Sequence, residues 1–184
     1  MSSQSLYEQM NVYTRSGKKI TLTDKILDLM VRGVYVVTTR CKDEINGMTA
    51  AMVMRASADP VYLMVGVWHE NYSQELIRKA ENFAVNILSE DNIDLAKHFG
   101  RQSGKEVNKF IRQDIYWESK RTGAPILLDT LAYLDCRLVD SYDPPGGDHT
   151  IFVGEVLDAG ILCESNPLRY QRQDYPYRVL HIQE

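Results

Sequence analysis

The feature that most constrains this chain is the run Val61-Tyr62-Leu63-Met64-Val65-Gly66-Val67, apolar at successive positions and preceded by Asp59-Pro60. A run of that length and β-branched content predicts a strand buried on both faces. A short polar loop leads from it to Asn71-Tyr72-Ser73-Gln74-Glu75-Leu76-Ile77. There Asn71 and, three residues on, Gln74 have the spacing of a helix N-cap and its capping-box partner. Upstream lies Asn46-Gly47-Met48-Thr49-Ala50-Ala51, followed by an apolar run to Ala58. Asn-Gly predicts a tight turn, because both residues tolerate positive φ. A helix that opens directly after a buried strand presents free N–H groups and a partial positive charge, which suits an anion. The plain alternative is a helix that is simply capped.

The rest of the chain can be placed around that unit. Residues 1–20 are polar and mixed, an N-terminal arm ahead of a single domain spanning 21–184. Thr23 is placed to cap a helix from Asp24 to about Arg32, with Ile26, Leu27 and Met30 on one face and Gly33 ending it. Val34–Thr39 is β-branched and aromatic, hence a strand, and the polar Arg40–Ile45 segment turns it into the Asn46 stretch. After a helix over Tyr72–Glu81, Phe83–Leu88 predicts another strand. Asp91 or Asn92 caps a short helix ending near Phe99-Gly100. A flexible basic loop, Arg101–Lys105, precedes a helix around Val107–Arg112, and residues 113–130 lack a period and contain Gly123-Ala124-Pro125. From Leu131 to Val139 apolar and polar residues alternate with period two. Asp143-Pro144-Pro145-Gly146-Gly147-Asp148 is a loop, His149–Val156 a strand, and Tyr177–Ile182 a last strand. About six strands with short helices and no regular βαβ alternation predict a mainly β fold with flanking helices, a closed or nearly closed barrel. Neither G-x-G-x-x-G after a strand nor G-x-x-x-x-G-K-[ST] occurs, so dinucleotide-fold and P-loop readings are poor.

Composition narrows the partners. With 184 residues the chain can bury a core without disulfides or metal. A net charge of −4 argues against nucleic acid or an anionic membrane, and means that a phosphate ligand needs local cations. Cys41, Cys136 and Cys163 are odd in number and widely spaced, with no C-x-x-C, so neither a zinc site nor a disulfide framework is expected. The N-terminus lacks an apolar signal region and no stretch is long enough to span a bilayer, which makes the reduced cytoplasm the expected compartment.

Among the histidines, His149 leaves a Pro-Gly loop and enters a strand, where it would be partly exposed and rigidly flanked. His69 precedes the candidate anion helix and reads as a solvated turn residue; His98, late in a helix, carries no functional weight. Ser73 has no evident base partner and no G-x-S-x-G elbow, so nucleophilic hydrolysis has little support. Arg101, Lys105 and Lys109 are candidate cations for a phosphate at Tyr72, since a helix terminus supplies at most ~1–2 kcal/mol whereas a charge-assisted hydrogen bond adds about 1.5–3. The aromatic-rich Leu168–Tyr177 segment suits a planar ligand or an interface.

In order and spacing these stretches resemble the flavin reductase-like family, FMN-binding split-barrel proteins that include flavoredoxins and the reductase components of two-component flavin monooxygenases. The most specific piece is Gly147-Asp148-His149-Thr150-Ile151-Phe152-Val153-Gly154-Glu155-Val156, joined by Pro167-Leu168-Arg169-Tyr170. The resemblance implies an FMN-binding split β-barrel, a homodimer, and hydride transfer from NADH or NADPH to flavin N5. It places Asn46, Met48, Thr49, Ala50 and Ala51 along the flavin ring and ribityl chain. Asn71, Tyr72 and Ser73 fall on the phosphate, Asn86 near the ring edge, Ser103, Gly104 and Lys109 in the flavin-covering segment, and His149 beside the nicotinamide. Two other readings remain open at this level: a flavoredoxin-like protein whose tightly held FMN serves a redox partner protein, and a flavin-binding module without turnover.

Overall fold

The structure is a computed structural model, and it describes residues 21–111 and 115–170. The N-terminal arm, the strand expected at Tyr177–Ile182 and most of the C-terminal aromatic stretch lie outside the described residues. By contact density the chain forms two compact units. The first, in its described part, is residues 21–32 and 170. It holds helix α1 (Leu22–Leu27), whose N-cap is Thr21, two residues before the expected Thr23. Thr21 forms a full capping box with Asp24, and that reciprocal pair satisfies two orphan donors at once, which Thr23 could not do. The helix is shorter than expected, and Ile26, Leu27 and Met30 are exposed. Arg32 lies over the Tyr170 ring, 4.3 Å from its centroid.

The second unit, Gly33–Arg169, carries the sheet. Its elements are β1 (Tyr35–Cys41), β2 (Glu44–Ala50), β3 (Val53–Ala58), β4 (Val61–Trp68), α2 (Tyr72–Ala80) and β5 (Asn82–Ile87). A 3₁₀ turn (Glu90–Asn92) leads into α3 (Ile93–Arg101), followed by β6 (Tyr116–Glu118), β7 (Pro125–Leu127), β8 (Ala132–Tyr142) and β9 (His149–Ile161). Seven strands form one antiparallel sheet in the order β2-β1-β5-β8-β9-β4-β3, and β6 and β7 pair separately. Val37 of β1, Met48 of β2, Val65 of β4, Val85 of β5, Cys136 of β8 and Phe152 of β9 share one core cluster with Ile77 of α2. Strands at opposite ends of a flat sheet could not meet in one cluster, so the sheet curls round its core as a split barrel. Register shifts at Asp135/Cys136, Leu138/Asp140 and Arg55/Ser57 add the local bend that such curling needs.

Four local expectations are corrected. Asn46-Gly47 is not a turn: the β1–β2 hairpin turns at Lys42-Asp43, with Lys42 at φ 57° and Cys41 opposite Glu44. Gly47 stands mid-strand because a Cβ there would lie 2.8 Å from the buried Phe99 ring, so glycine serves packing rather than positive φ. Strand β4 is not equally buried on both faces; Leu63, Val65 and Val67 are buried and the alternate residues half-buried. Described residues 107–111 are irregular around a turn at 109–110 instead of a helix, and the segment read as irregular contains the β6–β7 hairpin. That hairpin is fixed by long-range contacts that leave no periodic trace. Arg40 donates to the Gly123 carbonyl and pairs with Glu118, while Ser119 and Thr122 donate to the buried Asp135 carboxylate.

Candidate functional site

Strands β4 and β9 place Trp68 directly opposite His149. Just beyond, the His69 N–H donates to the Asp148 carbonyl and the Asn71 N–H to the Trp68 carbonyl, both at 2.9 Å. These two stitches bring His149 and the start of α2 to the same end of the sheet, although 78 positions separate Asn71 and His149 in sequence.

At that helix start Asn71 is extended (φ −72°, ψ 128°), as an N-cap should be, but its side chain makes no capping bond. The expected capping box with Gln74 is absent because Gln74 Nε2 donates instead to Thr150 Oγ1 at 3.1 Å. The first N–H groups of α2, which have no acceptor inside the helix, are therefore not quenched by a side-chain cap, and the positive end of the helix dipole is preserved. Ser73 is buried at the first turn, and its Oγ accepts from Asn46 Nδ2 at 3.0 Å. Gly104 lies over the same asparagine: a Cβ there would fall 2.2 Å from Asn46 Oδ1, so the loop after α3 closes onto β2 only with glycine at this position. Asn46, Ser73 and Gly104, 58 positions apart at the extremes, thus meet at one point.

The cations divide. Lys109 is buried, and its Nζ donates to the Gly47 and Phe99 carbonyls, both at 2.9 Å, so its ammonium pins the covering loop to β2. Lys105 is the cation beside α2: its Nζ lies 5.1 Å from the Tyr72 ring centroid and 3.7 Å from Glu75. Ser103 shapes the turn that carries Lys105, its Oγ accepting from the Lys105 N–H at 3.3 Å. Arg101, at the end of α3, is exposed. The Tyr72 hydroxyl donates to the Glu44 carboxylate, which pushes the phenol up to about 12. Glu44 was invisible as a site neighbour in sequence, being one acidic residue after a turn.

The remaining residues are placed less directly. Met48 and Ala50 turn their side chains into the core, and Ala51 is half-buried past the end of β2, so what these residues offer a ligand is chiefly backbone. Thr49 donates to the Ala96 carbonyl at 2.6 Å and packs beside Gly100, buttressing α3. Asn86 is fully buried away from this cluster. Its Nδ2 donates to the Val36 carbonyl at 3.0 Å, and its Oδ1 accepts from the Leu127 N–H at 2.8 Å.

His149 Nδ1 donates to the Asp148 carboxylate at 2.7 Å, and this bond is the largest cause holding that carboxyl below its usual range. With Nδ1 engaged by Asp148, Nε2 is the ring nitrogen left to meet a ligand. The site thus offers unquenched helix N–H donors, a nearby ammonium and an oriented imidazole, a set suited to an anionic, elongated ligand. Among the described residues no group of three or more His, Cys, Asp or Glu side chains is gathered to hold a metal. No helix among them is long and apolar enough to cross a membrane.

Residues 27–177 match the flavin reductase like domain. The high molecular weight rubredoxin of Moorella thermoacetica is 33% identical over 148 residues, 79% of this chain and 63% of that protein. The FMN reductase (NADH) SmoA of Agrobacterium fabrum is 31% identical over 170 residues, 89% of this chain and 93% of the relative. The NADH:FAD oxidoreductase SgcE6 of Streptomyces globisporus C-1027 has the same fold, with a TM-score of 0.74 at 26% identity over 81% of this chain and 86% of that one. Some relatives are much longer: the chain spans 63% of the rubredoxin and 24% of the putative diflavin flavoprotein A 1 of Nostoc. With the domain match running through most of the chain and the split barrel in common, this protein belongs to the flavin reductase-like family.

Proposed function

We propose that this protein is an FMN-binding NAD(P)H:flavin oxidoreductase. The observation that carries the reading is the juxtaposition of an uncapped α2 N-terminus with His149, enforced by the Trp68–His149 pairing. The donor set fits a flavin mononucleotide. The N–H groups of Tyr72 and Ser73, with Lys105 nearby, would hold its phosphate, and the β2 backbone would line its ring end. When bound, the flavin supplies the hydride-accepting ring. The chain's own residues bind, orient and exclude water: Asn46 and Ser73 brace the helix start, the Gly104 loop covers β2, and Lys109 pins that loop down. His149, its ring oriented by Asp148, would orient the nicotinamide or polarise the ring edge, a contribution of proximity rather than proton transfer. The relatives named as FMN reductase (NADH) and NADH:FAD oxidoreductase support this reading.

The test is the rate of NADH or NADPH oxidation as FMN is added. A steady rate that saturates with FMN is expected; no oxidation with either nucleotide would refute the proposal. A second reading is favoured by the likeness to the larger rubredoxin and diflavin proteins: FMN stays bound and electrons pass to a redox partner protein. In that case flavin remains on the protein through desalting, and turnover requires an added electron carrier. We further propose a single functional domain over residues 21–184, a homodimer, and a cytoplasmic location, the last supported by three free cysteines.

A further inference from the structure

The loop that delivers His149 to its place has one hydrogen bond of its own, from the Gly147 N–H to the Pro144 carbonyl at 2.8 Å. Between β8 and β9 run Pro144-Pro145-Gly146-Gly147, with Gly146 at φ +70° and open space where its Cβ would be. That turn fixes the tip of the loop, and the attachments at its two ends decide where His149 stands. One attachment is the Asp148 carbonyl, which accepts from His69 N–H. The other is a polar clasp that no sequence pattern announced.

The Nη2 of Arg78, late in α2, donates to both oxygens of Asp143 at 2.9 and 2.8 Å, and its Nη1 donates to Ser141 Oγ at 3.0 Å. Thr150, fully buried and adjacent to His149, donates its hydroxyl proton to Asp143 Oδ1. The same hydroxyl oxygen accepts from Gln74 Nε2 at 3.1 Å and from Arg78 Nη2 at 3.3 Å. His69 Nε2 stands 3.7 Å from the Asp143 carboxylate. The Thr150 hydroxyl and the Arg78 guanidinium hold the Asp143 carboxyl below its ordinary range, so the clasp is charged and closed at neutral pH. Two side chains of one helix, one in its first turn, therefore close on the residue next to His149.

We propose that Arg78 and Asp143 are positioning residues, closed on Thr150, which hold His149 at a fixed station relative to the start of α2 and so set nicotinamide docking. The proposal rests on the flavin reductase reading of the site. It predicts an effect confined to the nucleotide: the clasp touches neither Asn46 nor Ser73, and the phosphate end of the site keeps its own bracing.

The experiment compares wild type, Asp143→Ala, Arg78→Lys, His149→Ala and the Asp143→Ala/His149→Ala double variant. With Asp143→Ala, the KM for the nicotinamide nucleotide is expected to rise about fivefold, the scale of one partly exposed ion pair, with kcat and the FMN dissociation constant within about twofold of wild type. Arg78→Lys keeps the charge but loses the second nitrogen that donates to Ser141, and falls between wild type and Asp143→Ala. In the His149→Ala background the Asp143 substitution adds nothing further to KM, since it acts through the histidine. In the flavin-free protein, hydrogen exchange of a peptide covering 144–150 quickens about tenfold in Asp143→Ala, while the 72–80 peptide is unaltered. An additive KM effect in the double variant, an equal loss of FMN affinity, or unaltered exchange at 144–150 overturns the proposal. A wild-type protein that shows no FMN-dependent nucleotide oxidation defeats the underlying functional reading and this inference with it. An active wild type with an Asp143→Ala variant of unaltered KM defeats this inference alone.

Discussion

Asn46 and Asn86 stand on the two strands that flank β1, both buried, yet their surroundings differ. The Asn86 amide is spent inside the barrel wall, giving to the Val36 carbonyl and, at 3.2 Å, to the Thr38 hydroxyl while taking from the Leu127 N–H, and so ties β7 to that wall. The Asn46 amide gives to another side chain, Ser73, at the uncapped end of a helix and beneath a glycine. A buried polar group satisfied wholly inside the sheet mainly specifies a fold. One satisfied by a side chain at a helix N-terminus is available to take part in binding. Burial and residue type alone do not separate the two; the partners do.

The contrast can be broken by substitution. The largest effect is expected from Asn86→Ala, which strands the buried Leu127 N–H and the Val36 carbonyl. Each such group costs about 1–3 kcal/mol, so roughly 3 kcal/mol of folding stability should be lost in denaturant titration, with FMN affinity of the folded fraction intact. A variant of native stability, or one that folds normally but loses FMN, would abolish the distinction. Next, Ser73→Ala should weaken FMN binding by about 1–2 kcal/mol, the scale of one hydrogen bond to a charge, measured by flavin fluorescence quenching. An unaltered dissociation constant would move the phosphate elsewhere. His149→Ala should lower reductase kcat/KM about tenfold, or ~1.4 kcal/mol of transition-state stabilisation, with FMN binding retained. Unchanged turnover would remove His149 from the site.

The smallest effect concerns the rim. Tyr72 has its phenol pushed up to about 12 by the bond to Glu44. A raised folded value means that the bond's contribution is full below the unfolded phenol range near 10 and fades as pH climbs through about 12. Burial also raises Tyr35 and Tyr133, so in absorbance titration at alkaline pH several tyrosines should ionise late, and Tyr72→Phe should remove one of them while Glu44→Gln advances it. A late amplitude identical to wild type in both variants would refute the Tyr72–Glu44 bond.

Much of the frame was legible in advance. The strands at Val34–Thr39, Val61–Val67, Phe83–Leu88 and His149–Val156 were marked by β-branched runs, because strand formation and burial depend on the same local side chains. The helix at Tyr72 was marked by its cap position and apolar spacing. Three things were not. Gly47 looked like a turn residue, although its missing Cβ admits Phe99, a neighbour 52 positions away. Gln74 looked like a capping-box partner, yet Thr150 captures its amide. Lys109 looked like a phosphate cation, while two carbonyls of other segments hold its ammonium.

The sequence by itself determined that this chain would curl a β-rich sheet beside an anion-ready helix, with a histidine entering a strand from a Pro-Gly loop. Those properties follow from side chains acting on their own backbone. Only the tertiary structure decided which amide braces the helix, which lysine guards it, and that Arg78 and Asp143 secure the histidine loop. Polar groups choose partners by distance and direction once the chain has collapsed, and neither quantity is written in local sequence.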